Sequence, residues 1–225
     1  NVIHDVAIQD LPVVMCLDRG GLVGEDGVTH HGVFDMAAFG AVPGLTIAAP
    51  MNEPELRNMM YTALGSGHPF MIRYPRGHGE GLPWRGEKFE TLPVGRVRRL
   101  REGADVALLT VGTVGNAAAR AAGRAAAEGV SVAHYDLRFV KPLDEALLDE
   151  VGRKFRRVVT VEDGSLRGGV GEAVAAFFNG RGYDVRVQRL GIGDEWVEHG
   201  TPGQLYALCG YDEEGILRAL LDTRA

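Results

Sequence analysis

The sequence predicts an α/β protein built as two units, each a mostly parallel sheet covered by helices. Three observations predict it. Apolar, strand-like runs alternate with helical patterns along the chain; glycine-rich or charged loops begin where several of those runs stop; and residues 78–93 break the rhythm with Gly79, Gly81, Pro83, Trp84, Gly86 and Pro93 set among charges. Alternation of this kind joins parallel strands through crossover helices, and a Gly/Pro-rich interruption reads as a linker. The expected division is a first unit at 1–77, a linker at 78–93 and a second unit at 94–225.

In the first unit Val2, Ile3, Val6, Ala7 and Leu11 follow helical spacing from the start of the chain. The chain thus reads as beginning inside a helix, as a C-terminal fragment of a longer protein would. A strand is expected at 12–17, then the loop Asp18-Arg19-Gly20-Gly21-Leu22-Val23-Gly24-Glu25-Asp26-Gly27-Val28-Thr29-His30-His31-Gly32, then a short helix near 34–39. A second strand at 45–49 ends at Pro50, and Asn52 with Glu55 supplies a cap and capping partner for a helix over 53–64. A strand at 69–72 leads into Arg73-Tyr74-Pro75-Arg76-Gly77.

The second unit repeats the pattern, with strands expected at 95–100, 105–111, 131–136, 157–161 and 184–189 and helices at 114–128, 143–152, 169–179 and 213–221. Alanines over 117–127 favour a helix that packs closely on a sheet. Gly168-Gly169-Val170-Gly171 lacks the spacing of a dinucleotide loop and suits close helix–sheet packing instead. Thr201 and Pro202 suit the cap and first position of a further helix, which leaves His199 as an entry residue.

A chain of 225 residues can bury about 70% of its unfolded surface without a metal or disulfide. Hydrophobic content of 45% and charged content of 24% are those of a globular protein. Net charge −6 argues against a nucleic-acid partner, and no apolar run approaches the ~18 residues of a membrane span. The two cysteines, Cys16 and Cys209, lie far apart in no CxxC pair, which points to a reducing compartment. With no signal peptide visible, a cytoplasmic location is expected. Cys16 lies within an apolar strand and is expected to be a small buried hydrophobe.

Ligands of parallel α/β sheets bind outside the carboxyl ends of strands. Arg19 and Arg76 fall at two such ends, beside Gly20 and Gly77, and two guanidinium forks suit a phosphate or carboxylate. Arg73 is set apart: alternation puts it opposite Tyr74, and a structural ion pair is expected. His30 with Asp26 suits proton transfer. A metal is disfavoured because no other His/Cys cluster is near. Adjacent histidines on a loop diverge, so one of His30 and His31 belongs to the site and the other packs or is solvated.

Several stretches together resemble the C-terminal half of the 1-deoxy-D-xylulose-5-phosphate synthases, thiamine-diphosphate enzymes of the transketolase superfamily. They are His4-Asp5-Val6-Ala7 leading to Leu11-Pro12-Val13, the loop from Asp18 to His30, Ala49-Pro50 with Glu53, and Tyr74-Pro75-Arg76-Gly77. Farther on come Asp136-Leu137-Arg138-Phe139-Val140-Lys141-Pro142-Leu143-Asp144, Val161-Glu162-Asp163-Gly164 and Glu198-His199-Gly200-Thr201. The resemblance implies a three-domain parent. This chain would hold the later part of a pyrimidine-binding, transketolase-type parallel-sheet domain and the whole C-terminal α/β domain.

The implied reaction condenses pyruvate with glyceraldehyde 3-phosphate, releasing CO2, on thiamine diphosphate with Mg2+ in a homodimer. Its product feeds isoprenoid precursors, thiamine and pyridoxal. The resemblance makes Arg19 and Arg76 holders of the aldehyde's phosphate. It selects His30 as the proton donor near the acceptor and gives Asp26 the substrate hydroxyls or the loop's orientation. His31, at a position where the family varies, is expected to matter little. The family's Gly-Asp-Gly metal–diphosphate motif is absent, and Glu162-Asp163-Gly164 only imitates it. The glutamate that protonates the aminopyrimidine would also lie upstream of Asn1. Cofactor and metal would therefore be bound mainly by an upstream N-terminal portion of the same protein, and the fragment alone would be inactive.

Two other readings compete. A β subunit of a 2-oxoacid dehydrogenase would share the Lys-Pro-Leu-Asp stretch but, handing an acyl group to a lipoyl arm, would not need two arginines for a sugar phosphate. A non-catalytic module whose job is only dimerisation is supported, for this fragment though not for its parent, by the missing groups that would activate the cofactor.

Overall fold

A computed structural model describes residues 1–222; the last three residues of the second unit's expected range, 223–225, lie outside the described residues. The chain begins with a π-helical turn at Val2–Ala7, followed by β1 (Val14–Leu17), α1 (Asp35–Gly40), β2 (Thr46–Ala48), α2 (Glu53–Leu64) and β3 (Phe70–Arg73). The second part contains β4 (Arg98–Arg101), β5 (Val106–Val111), α3 (Val114–Ala127), β6 (Val132–Asp136), β7 (Phe139–Lys141), α4 (Glu145–Lys154), β8 (Arg157–Ser165), α5 (Val170–Gly180), β9 (Arg186–Ile192), α6 (Pro202–Leu208) and α7 (Glu213–Leu221).

Two sheets form. The first has the order β1-β3-β2-β7 and the second β4-β6-β5-β8-β9. Pairing is parallel except where β7 meets β2 and β4 meets β6. The expected α/β class, with two mostly parallel sheets, is what the chain adopts. Caps do as the residues predict: Asn52 accepts from Glu55 N–H at 3.2 Å. Thr201 and Gln204 close a capping box at α6, with Pro202 in its first turn.

The sequence reading missed β7. It follows the second unit's β6 but pairs with β2 of the first sheet, Ile47 opposite Lys141 and Ala48 opposite Phe139. Three residues bounded by Arg138 and Pro142 carry no readable period, and their partner lies far back in the chain. β8 also runs farther than its apolar stretch, because its terminal acids Glu162 and Asp163 are buried and satisfied rather than ending the strand.

One apolar core spans both sheets, with Leu45, Ile47 and Met71 of the first packed with Leu109, Val111 and Tyr135 of the second. On the second sheet's other face, α3 contributes Ala118, Ala121, Ala122 and Ala125, all fully buried; side chains this small let the helix lie close to the sheet. A buried ionic clamp adds to the join. Arg138 grips Glu55 of α2 with two bonds, Nε to Oε2 at 2.7 Å and Nη2 to Oε1 at 2.9 Å. Arg98 bridges Glu55 to Asp136 at 3.1 Å each.

Residues 78–93 run along α2. Arg57 donates to the carbonyls of Trp84, Glu87 and Lys88, and Leu92 is buried against the first sheet. Cys16 corrects the expectation of burial: it is exposed, because β1 is an edge strand of its sheet. Among the described residues no helix is long and apolar enough to cross a membrane.

Candidate functional site

The carboxyl ends of β1 and β3 lie side by side, with Leu17 opposite Arg73. The chains leaving them remain together: Tyr74 N–H donates to Leu17 O at 3.0 Å and Gly20 N–H to Tyr74 O at 2.9 Å. Arg19 and Arg76 thus leave neighbouring strand ends. Arg19 has φ +58, in the left-handed region, and is exposed. Among the described residues its side chain makes no hydrogen bond or ion pair.

The loop from Gly20 to Gly32 is closed at its base by two backbone bonds, Gly21 N–H to Gly32 O at 2.7 Å and Gly32 N–H to Gly21 O at 2.9 Å. Glycine is required here. A Cβ on Gly32 would lie 2.1 Å from Arg19 O, and one on Gly21, whose φ is +85, would lie 1.8 Å from Asp163 Oδ2. Turns at Gly24–Gly27 and Gly27–His30 then lift Asp26 and His30 outward.

Asp26 is brought onto Arg76, which donates to its Oδ2, in a half-exposed pair. His30 is exposed and shares a 2.9 Å bond with Thr29 Oγ1. The two histidines diverge, as adjacent loop histidines are expected to. His31 is half-buried: its Nδ1 accepts from Val23 N–H at 3.1 Å, so its Nε2 carries the proton that goes to Val197 O at 3.1 Å. That is a larger structural part than the sequence reading gave it.

Arg73 is the structural arginine expected. It is buried, with Nε donating to Asp35 Oδ2 at 2.6 Å and Nη2 to Asp163 O at 2.9 Å. The sequence reading missed the buried acids beneath the loop. Asp163 accepts from Leu22 N–H at 3.1 Å and from Tyr211 OH at 2.6 Å. Burial raises its pKa against the pull of Arg73, and burial together with Asp163's charge raises that of Tyr211. Glu162 accepts from Val170 N–H and Gly171 N–H, both at 2.8 Å, at the start of α5. Burial nevertheless pushes its carboxyl up to about 7. The available signal was a pair of acids ending an apolar run.

Arg76 also lines a cleft of about 670 Å3, walled by the start of α2, residues 74–80, the start of α3 and α6–α7. Asn52, His78, Asn116 and Tyr206 line it as well, whereas Arg19, Asp26 and His30 do not. Among the described residues no three His, Cys, Asp or Glu side chains converge as a metal site would need. Three acids at or beneath the loop are engaged: Asp26 by Arg76, Asp35 by Arg73, and Asp163 by Leu22 and Tyr211.

Comparison with known proteins adds to this geometry. Residues 95–216 match the family description "Transketolase, C-terminal domain", and residues 1–80 match "Transketolase, pyrimidine binding domain". The chain is 57% identical over 226 residues to a 1-deoxy-D-xylulose-5-phosphate synthase of Bacteroides fragilis, covering 100% of this chain and 35% of that protein. It is 56% identical over 223 residues to the synthase of Bacteroides thetaiotaomicron, covering 98% of this chain and 34% of that protein. The chain therefore spans about a third of the length of these curated relatives. Among solved structures it is similar to a "Split gene transketolase, inactive beta4 tetramer", with TM-score 0.83 and 26% identity over 97% of this chain and 68% of that one.

Proposed function

The chain belongs to the transketolase family through its pyrimidine-binding and C-terminal domains, and from that premise we propose that it is the acceptor-substrate side of a 1-deoxy-D-xylulose-5-phosphate synthase. The reaction is the thiamine-diphosphate-dependent condensation of pyruvate with D-glyceraldehyde 3-phosphate, with loss of CO2. The observation that carries the reading is the placement of Arg19 and Arg76 at the carboxyl ends of paired parallel strands. Among the described residues Arg19 is unengaged and Arg76 is held only by a half-exposed carboxylate.

In this reading the two guanidinium groups bind the aldehyde's phosphate. Asp26 sets the orientation of Arg76 and exchanges that contact for substrate. As the new carbon–carbon bond forms at the aldehyde carbon, its oxygen gains negative charge, and exposed His30 donates the proton that neutralises it. Thiamine diphosphate, when bound, supplies the carbanion equivalent. It and Mg2+ are held, in this reading, by the portion of the protein upstream of this chain. The division of units at 1–77, 78–93 and 94–225 is part of the same proposal.

A homodimer and a cytoplasmic location complete it. Phe34 and Trp196, stacked edge to face at 6.0 Å and 51% and 70% exposed, support an interface. The free cysteines support a reducing compartment. The chain alone is inactive; the resemblance to a structure described as an inactive tetramer of a split-gene transketolase supports this.

The test is an assay of the full-length protein with pyruvate and glyceraldehyde 3-phosphate. Consumption of both with formation of a five-carbon ketose phosphate supports the reading. Transfer to a lipoyl acceptor with no use of the aldehyde would replace it with the 2-oxoacid dehydrogenase reading, and no turnover of pyruvate would leave the dimerisation module.

A further inference from the structure

Three consecutive residues of the glycine-rich loop are tied to the second unit. Leu22 N–H donates to Asp163 Oδ1 at 3.1 Å. Val23 N–H donates to His31 Nδ1, and the same ring donates from Nε2 to Val197 O, each at 3.1 Å. Gly24 O accepts from Gly200 N–H at 3.4 Å. The fit leaves no slack: a Cβ on Gly24 would meet Pro202 at 3.0 Å, and one on Gly27 would meet His199 at 3.2 Å.

Asp163 is the deepest of these anchors. It is 4% exposed, and its carboxylate also accepts from Tyr211 OH at 2.6 Å while its backbone carbonyl accepts from Arg73. Arg73 in turn holds Asp35 at the start of α1, the helix that follows the loop. The Val161–Gly164 and Glu198–Thr201 stretches, which have no part in the proposed chemistry, are thus the seats of the loop that carries it.

We propose that Asp163 and His31 are positioning residues that seat the loop bearing Asp26 and His30 on the second unit. The second unit thereby sets acceptor recognition from outside the site. Neither touches substrate in this account. His31 works as a neutral ring bridging Val23 to Val197, a task not shared by its neighbour His30, whose ring bonds to Thr29. The consequence for substrate rests on the acceptor reading above; the seating itself does not.

Two measurements separate the two. In the first, amide hydrogen exchange is followed in the full-length protein and its Asp163→Ala, Asp163→Asn and His31→Ala variants. Loss of a hydrogen bond to a charged group corresponds to roughly ten- to a hundredfold, and of one to a neutral ring to about two- to tenfold, so Leu22 should exchange at least about tenfold faster in Asp163→Ala and Val23 at least about twofold faster in His31→Ala. Asp163→Asn, which keeps an acceptor oxygen, should restore most of the protection, and the amides of α5 should not change.

In the second, the KM for glyceraldehyde 3-phosphate should rise about tenfold in the same two alanine variants, with the KM for pyruvate unchanged and recovery in Asp163→Asn. His31→Ala, on a half-buried ring, serves if Asp163→Ala does not fold. Unchanged loop exchange in a folded variant overturns the proposal, as do KM values for both substrates rising together. If wild type consumes no aldehyde, the acceptor reading fails while the exchange result still decides the seating.

Discussion

Asp26 and Arg76 are ion-paired across a separation of 50 residues, joining the glycine-rich loop to the segment that leaves β3. The pair is 33% and 49% exposed. Exposed pairs of this sort contribute roughly 0–1 kcal/mol, so a doubly charged phosphate can take Arg76 from Asp26 at small cost. The contact orients the guanidinium before a ligand arrives without locking it, and it leaves Arg19 as the fork unengaged among the described residues.

His30 is predicted to act on the acceptor. In the full-length protein His30→Ala should slow product formation by about 10²–10⁴-fold and leave the initial consumption of pyruvate much less affected. Rapid-quench, single-turnover measurement separates these steps. Equal slowing of both would make His30 a residue that positions the cofactor and remove its acid role.

Glu55 joins the two units through Arg138 and Arg98. Removing one partner of a buried pair strands the others, at a cost of roughly 3–5 kcal/mol. Because Arg98 is partly exposed, Glu55→Ala should cost about 3 kcal/mol in urea denaturation of the 225-residue chain. Both sheets should melt in one transition, since the core and β7 also cross between them. A loss well under about 1 kcal/mol, or two separate transitions, would show that the clamp does not join the units.

Glu162 gives a pH dependence of stability. Burial raises its carboxyl from the usual 4.5 to about 7, despite the α5 N–H donors and the charges of Arg73 and Arg189. Between those values the native chain holds a proton that the unfolded chain has released. The contribution is therefore full at low pH and is lost as pH rises through about 7. From about pH 5 to about pH 8, wild type should lose stability relative to Glu162→Gln by on the order of 1–3 kcal/mol. Buried His134, whose pKa is lowered to about 4, has the opposite slope but is common to both proteins and cancels. A wild-type-minus-variant difference that does not vary with pH would contradict the assignment.

Cofactor affinity should reside outside this chain. Titration calorimetry of residues 1–225 with Mg2+ and thiamine diphosphate should give no binding in the micromolar range, because the charged metal–diphosphate clamp supplies most of the affinity. Micromolar binding to this chain would place that clamp within it.

Much of this architecture is legible in the residues. Helix α2 begins at Glu53 and ends at Leu64, as Asn52, Glu55 and the apolar spacing dictate, and the strand ends bearing Arg19 and Arg76 follow from runs that stop abruptly. Pairing between distant elements is not legible, because period reports on a residue's neighbours in the chain. Hence β7 was missed, and Cys16, apolar in its local setting, is exposed because β1 has a partner on one side only. The seating of the loop was hidden for the same reason: Asp163 follows Leu22 by 141 residues, and nothing near either announces the contact.

The central claim is that Arg19 and Arg76 bind the phosphate of the acceptor, and steady-state kinetics with two aldehydes test it most directly. In the full-length protein, Arg19→Ala and Arg76→Ala should each raise the KM for glyceraldehyde 3-phosphate about ten- to a hundredfold. That is the loss of one charge-assisted bond, roughly 1.5–3 kcal/mol. The KM for pyruvate should hardly change, and unphosphorylated glyceraldehyde should be affected much less. Equal losses for the phosphorylated and unphosphorylated aldehydes would contradict the account.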